Sequence, residues 1–240
     1  MVDAYDPIKQ GPTPEFEKQW LAKFRNCIDR VASKNVSEEI LQGSKGLPEL
    51  SGKDINDWTR NTMEKLEALV DDDQLIEIMT GCACQYPRTG LKQFREKYAE
   101  TGNLELVHAM LQEQFIESTS KFLNLTDEEV ESIREWGWGV AGVLQGNTII
   151  ATKMPFEFHE YFKADTPNEK RFHFCHCPRI RKTLKDGADP ISESYCYCGA
   201  GFYRGIWEYI LDKPVRVEVL ETVLNGGDVC RIAVHLPDGI

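Results

Sequence analysis

"YCYCGAGFYRGIWEYILDKPVRVEVLETVLNGGDVCRIAVHL", residues 195–236, decides the fold class. Its first part, "GFYRGIWEYIL", carries apolar and aromatic residues at helical spacing. Its second part switches to the period of two that marks strands, in "VRVEVLETV" and "VCRIAVHL". "NGGD" at 225–228 separates the strands with two glycines that tolerate positive φ, so a C-terminal antiparallel β-hairpin is expected. Alternation puts Val215, Val217, Val219, Glu221 and Val223 on one face of the first strand, and Cys230, Ile232, Val234 and Leu236 on one face of the second. With Gly226 and Gly227 as the loop, Val223 pairs with Cys230 and Glu221 lies diagonal to Cys230 on an apolar surface. A carboxylate buried there needs a cation or a proton, since desolvating an unpaired charge is costly.

Working outward, "NTIIATKMP" and "RFHFCHCP" are also rich in β-branched and aromatic residues and are expected to be strands. Before residue 145 the period is helical. Thr13 and Pro14 suit an N-cap and a first helical position, and Phe16, Trp20, Phe24, Cys27 and Ile28 follow as one stripe. A second helix near 55–70 carries Trp58, Met63, Leu66, Leu69 and Val70, and Thr126 with Glu129 forms a capping box ahead of "EVESIREWGWGVAGVL". The expected fold is therefore α+β, with a helical N-terminal half packed on an antiparallel sheet. Residues 1–145 form the helical region and 146–240 the α+β region, in one compact unit.

A net charge of −11 excludes a passive nucleic-acid binder, because phosphate affinity comes largely from clustered Lys and Arg. Contact with anionic membranes is disfavoured for the same reason. No segment approaches the roughly 18 uninterrupted apolar residues of a membrane span, and "MVDAYDPIKQGP" lacks the basic and apolar regions of a signal peptide, so a cytoplasmic location is expected. In such a reducing compartment eight cysteines point to metal ligation, catalysis or inert packing rather than structural disulfides.

Six of them form Cys-x-Cys pairs: Cys82 and Cys84, Cys175 and Cys177, Cys196 and Cys198. Cys27 sits on the apolar stripe and is expected to be core. In an extended "RFHFCHCP" both Cys175 and Cys177 point to one side, and "SYCYC" presents Cys196 and Cys198 likewise, so four thiols are available for a closed tetrahedral zinc site. Glu221 and Cys230 supply a further candidate ligand pair. Cys82 and Cys84 lie in "GCACQYPRTG", a loop where a helix ends, and are the candidate catalytic thiols. Either could be nucleophile or redox partner, with Arg88, His176 and Arg179 as neighbours that raise thiolate reactivity. His108 and His159 are expected to be structural or at the surface, and "DDD" at 71–73 a solvated helix end. Aromatic residues concentrate after position 135, enough to line an apolar ligand pocket.

The same 195–236 stretch resembles the C-terminal part of the vinyl-reductase-type small-molecule-binding domain, shared with aromatic-effector sensors and, in fold, with TRAPP transport components. The residues that carry the resemblance are Cys198, "GFYRGIWEYILDKPVRVEVLE", "GGDVC" and "RIAVHL". In the effector sensors three cysteines and a glutamate hold zinc, so the resemblance implies Cys198, Glu221 and Cys230 as ligands. Leu224 stands where the family has its third cysteine, which leaves Cys196, Cys175 or Cys177 to complete the set. "ETVLNGGDVCRIAV" is also similar to the closing strands of the aminothiazoline-carboxylate hydrolase family, which opens a sulfur-containing ring.

Two functions are thus expected. The first is binding of a small hydrophobic or aromatic molecule beside a zinc, or alternatively iron, site built from Cys175, Cys177, Cys196, Cys198, Glu221 and Cys230, in a chain for which a homodimer is compatible. The second is a cysteine-dependent enzyme, either a hydrolase of a sulfur-containing ring or a thiol-redox protein.

Overall fold

Among the described residues, seven α-helices precede the first pair of strands and four more lie between it and the second pair. The computed structural model describes residues 14–49, 53–186 and 191–240, so Thr13, the expected N-cap, lies outside the described residues. In chain order the first helices are α1 (Pro14–Val31), α2 (Lys34–Ile40), α3 (Lys53–Leu69), α4 (Asp72–Gly81), α5 (Arg88–Thr101), α6 (Leu104–Leu123) and α7 (Asp127–Glu135). Strands β1 (Val143–Gln145) and β2 (Thr148–Thr152) precede α8 (Phe158–Lys163), α9 (Pro167–Phe174), α10 (Pro178–Asp186) and α11 (Tyr197–Leu211), and β3 (Arg216–Glu221) and β4 (Arg231–His235) follow. The fold is α+β with an antiparallel four-stranded sheet in the order β1-β2-β4-β3. No helix among the described residues is long and apolar enough to cross a membrane.

The chain divides into two compact units that interleave along the sequence. One takes the residues up to Ala83, Pro155–Cys198 and Val223–Gly226, and the other takes Cys84–Met154, Gly199–Thr222 and Gly227–Ile240. In the first unit α1 buries Trp20, Phe24, Cys27 and Ile28 at i, i+4, i+7 and i+8 and packs on α2 and α4. Burial of each large apolar side chain there contributes roughly 1.5–3 kcal/mol. On α3, Ile55, Met63 and Leu66 are buried, while Leu69 at the helix end is exposed. "DDD" starts a helix: Asp71 accepts the Gln74 amide at 2.8 Å, the Gln74 side chain accepts the Asp71 amide at 3.2 Å, and Asp72 and Asp73 fill the acidic first turn of α4.

The second unit holds α5, α6, α7 and the sheet. Thr126 and Glu129 form the expected capping box at the start of α7. Strand β4 lies between β2 and β3, so Ile232, Ala233 and Val234 are buried in succession rather than alternately. Most of α11 also belongs here and buries Tyr203, Ile206, Trp207, Ile210 and Leu211.

Two strand expectations are corrected. "RFHFCHCP" is not a strand: its first part is the end of α9, and Cys175 is that helix's C-cap. Thr166 and Glu169 cap the helix reciprocally and Pro167 occupies its first turn, and this nucleus outweighs the aromatic content that suggested extended chain. The last hairpin is wider than a two-residue turn. Pairing stops at Glu221↔Arg231 after a register shift beyond Val219, and Val223–Asn225 form a 3-10 turn, so Val223 and Cys230 are not partners. Glu221 explains the widening, because its Oε1 accepts the amides of Asp228 at 2.9 Å and Val229 at 3.3 Å.

Candidate functional site

Helix α4 ends at Gly81 and places Cys82 at its C-cap, where the Cys82 amide donates to Ile78 at 3.2 Å. The glycine is required for close approach. A Cβ on Gly81 would come within 2.8 Å of Cys27 Sγ on α1, so any side chain there would push the two helices apart. The corner thus brings Cys82 within electrostatic range of Cys27, and its sulfur is fully buried.

The Cys82 thiol donates to the Met79 carbonyl at 3.2 Å and is hydrogen-bonded to Cys198, the second residue of α11, which falls in the same unit. That bond, with burial next in weight, pushes the Cys82 thiol well above the ordinary thiol range, while the Arg179 guanidinium pulls it down. The bond to Cys198 and burial together favour the protonated form of the Cys82 thiol. Cys82 is fully buried, whereas Cys198 is half-buried.

Cys177 completes the arrangement at the N-terminus of α10. Its carbonyl accepts the Arg181 amide at 2.9 Å, and its sulfur accepts the amides of Ile180 and Arg179, so the thiol caps the helix. Burial pushes this thiol up, against the pull of the two amides and of Arg179, and Cys198 lies within electrostatic range.

Arg179 anchors these segments. Its guanidinium is buried, donates to Tyr195 Oη at 2.6 Å and to the Glu17 carboxylate, and lies 4.2 Å over the Trp20 ring. Burial works against its charge, but Tyr195, Glu17 and Cys177 more than offset that and keep it protonated. Burial raises the Glu17 carboxyl and Tyr195 hydroxyl in turn, with Arg179 opposing both. Glu17 Oε1 and Arg179 Nε have no hydrogen-bond partner in the structure.

The structure thus joins Cys82 to Cys198 by a hydrogen bond, with Cys27 within electrostatic range of Cys82 and Cys177 within range of Cys198. Cys175 is buried, with its sulfur 4.0 Å from the Cys177 carbonyl, and Cys196 is half-buried in the 3-10 turn Glu193–Cys196 that precedes α11. Cys84 is exposed, and Cys84, Glu221 and Cys230 belong to the second unit. There the loop after Cys84 is seated on α11, with Gln85 against Gly205 and the Tyr86 ring 6.0 Å from Phe202.

Two of the sequence arguments for the zinc site are corrected by the structure. Cys175 and Cys177 are not on an extended strand, and Glu221 is not a sealed acid, since two amides saturate it and Arg231 lies 3.6 Å away. Among the described residues no group of three or more His, Cys, Asp or Glu side chains is placed to hold a metal ion. Among the aromatic residues after position 135, Trp136 and Phe162 are exposed, Phe158 and Phe174 are buried in the first unit, and Tyr203 and Trp207 are buried in the second. An open depression of 460 Å³ lies along α5 and α6, lined by Phe94, Leu106, Ala109, Met110 and polar neighbours.

Sequence reasoning singled out Arg179 but missed Glu17 and Tyr195. Glu17 left a signal: it stands three residues before Trp20 on the stripe that α1 buries, a place where a carboxylate needs a cation. Tyr195 left none beyond its position before the Cys-x-Cys pair. No family model, curated protein or solved structure matches the chain.

Proposed function

We propose that the protein carries out thiol–disulfide exchange, with Cys82 and Cys198 cycling between dithiol and disulfide. One observation carries the reading: two sulfurs from distant parts of the sequence are hydrogen-bonded to each other, one on a fully buried residue and one on a half-buried residue, beside a buried guanidinium. Exchange needs an attacking thiolate, a second sulfur in reach and a way in for the partner. Cys198 is the attacking sulfur, as the accessible member and as a thiol in the first turn of a helix, where backbone dipoles favour negative charge. Cys82 is the resolving sulfur, and its retained proton keeps it in waiting. A disulfide-bearing partner is reduced to two thiols as the protein dithiol loses two electrons and two protons.

A turnover assay tests this. Reduced protein mixed with glutathione disulfide, and recycled by dithiothreitol, is expected to accelerate glutathione release over the uncatalysed exchange. Cys198→Ala should abolish the acceleration, and Cys84→Ala should leave it intact. Equal acceleration by the Cys198→Ala protein would remove the assignment. Metal analysis of the same preparation addresses the zinc alternative, which predicts one equivalent of zinc and collapse of the fold on chelation.

A further inference from the structure

We infer that Tyr195 is a positioning residue for the exchange, through which the buried Glu17–Arg179–Tyr195 chain fixes the turn that launches α11 and so sets the approach of Cys198 to Cys82. The inference rests on the Cys82–Cys198 reading and deepens it. The 3-10 turn Glu193–Cys196 runs into α11 without a break, because Tyr197 follows it with helical dihedrals and opens the helix. Tyr195 and Cys198, three residues apart, therefore lie one turn from each other on one face. The same turn packs against α4, the helix that ends at Cys82. Whatever holds Tyr195 thus holds the stretch that presents Cys198.

Two kinds of contact hold this turn. On its outer side Ser192 donates to the Glu67 carboxylate and Asn225 Nδ2 donates to Glu193 Oε2 at 2.7 Å, both at exposed positions where water competes. On its inner side Tyr195 is buried, its hydroxyl accepts from Arg179 at 2.6 Å, and its ring lies 6.5 Å from that of Trp20. Arg179 is fixed in turn by the Glu17 carboxylate and the Trp20 face, both on α1, and α1 packs on α4. The buried, charge-assisted bond is the stronger constraint. It needs the hydroxyl, since a phenylalanine ring would keep Trp20 as a neighbour and lose the tie. In the step this serves, Cys198 carries one half of an external disulfide, Cys82 gives its proton to solvent and attacks the Cys198 sulfur, and the mixed bond breaks as the departing thiolate takes up a proton. The equilibrium constant for closing the Cys82–Cys198 bond therefore measures how well the two sulfurs are held together.

The experiment equilibrates the full chain with mixtures of reduced and oxidised glutathione, quenches with acid, and maps free thiols, mixed disulfides and the Cys82–Cys198 bond by mass spectrometry. Tyr195→Phe is expected to lower the equilibrium constant for that bond about tenfold and to leave glutathione on Cys198. Arg179→Lys keeps a cation for Glu17 but loses the planar fork that serves two acceptors, so it should lower the constant likewise, and it decides the matter if Tyr195→Phe does not fold. Val107→Ala, a core truncation in the second unit, is expected to weaken the fold and leave the constant unchanged, as any residue that matters only to stability would. The inference is overturned if Tyr195→Phe, or Arg179→Lys in its place, closes the bond with the wild-type constant, or if Val107→Ala lowers the constant as much. A wild-type chain that never forms Cys82–Cys198 removes the exchange reading and this inference with it. A wild-type chain that forms the bond, beside a Tyr195→Phe chain of equal constant, removes this inference alone.

Discussion

The Cys82 corner and the Glu221 hairpin are alike in sequence. Each ends a regular element, each is followed by glycine or a loop, and each offered a group that metal or redox chemistry uses. Their structures differ in what satisfies that group. At the hairpin two backbone amides bind the carboxylate and Arg231 stands nearby, so the acid is absorbed into the architecture of the turn. At the corner the sulfur is sealed, and its partners are a carbonyl and another thiol. Oxygen anions are strong acceptors that loop amides need, whereas a thiol bonds weakly and folding does not demand polar company for it. A buried guanidinium, a tyrosine and further thiols around such a sulfur are therefore better evidence of chemistry than an acid in a turn.

Perturbing the ion pair behind the corner should have the largest effect. Arg179→Met leaves Glu17 buried without its cation and is expected to destabilise the protein by about 3–5 kcal/mol. Glu17→Gln should cost a similar amount, and the double variant should cost less than the sum, as chemical denaturation would show. A cost near zero would make Arg179 a surface-like charge and end the contrast.

At the hairpin Glu221→Ala removes the acceptor of two amides and should cost about 1–3 kcal/mol. Glu221→Gln keeps one acceptor oxygen and should recover most of that loss. Gly81→Ala forces a Cβ against Cys27 Sγ and should cost about 1–3 kcal/mol, with Cys27→Ala relieving much of it.

His108, away from both regions, should show the smallest effect. Burial lowers its imidazole below the ordinary 6.5, although the carbonyls of Gly142 and Ala141 pull it upward. A lowered histidine is neutral in the fold and takes its proton more readily when unfolded. The stability it contributes is therefore present above about pH 6.5 and declines as pH falls toward the folded value. His108→Gln should flatten that slope in thermal melts recorded from about pH 7 to 5.

Much of the fold was legible because its signals are local. The α1 stripe, the capping box at Thr126 and the change of period after residue 145 each depend on residues within a few turns of one another. "RFHFCHCP" misled because its helix is nucleated from Thr166 and Pro167, outside the stretch that looked extended. The hairpin misled because one side chain, Glu221, redirected the loop amides. At the site, spacing paired Cys82 with Cys84 and Cys196 with Cys198, but the fold pairs Cys82 with Cys198 across more than a hundred residues. Nothing in a Cys-x-Cys interval encodes that. Glu17 was within reach of sequence reasoning, as an acid on a buried stripe, and Tyr195 was not.

The direct test of the central claim is disulfide mapping of the wild-type chain through a glutathione redox titration under native conditions. The account predicts a single reversible cross-link joining the peptide that contains Cys82 to the one that contains Cys198, with full return to the dithiol on reduction. Oxidation that links other cysteines first, or that leaves Cys82 and Cys198 both reduced across the whole titration while the fold persists, would contradict it.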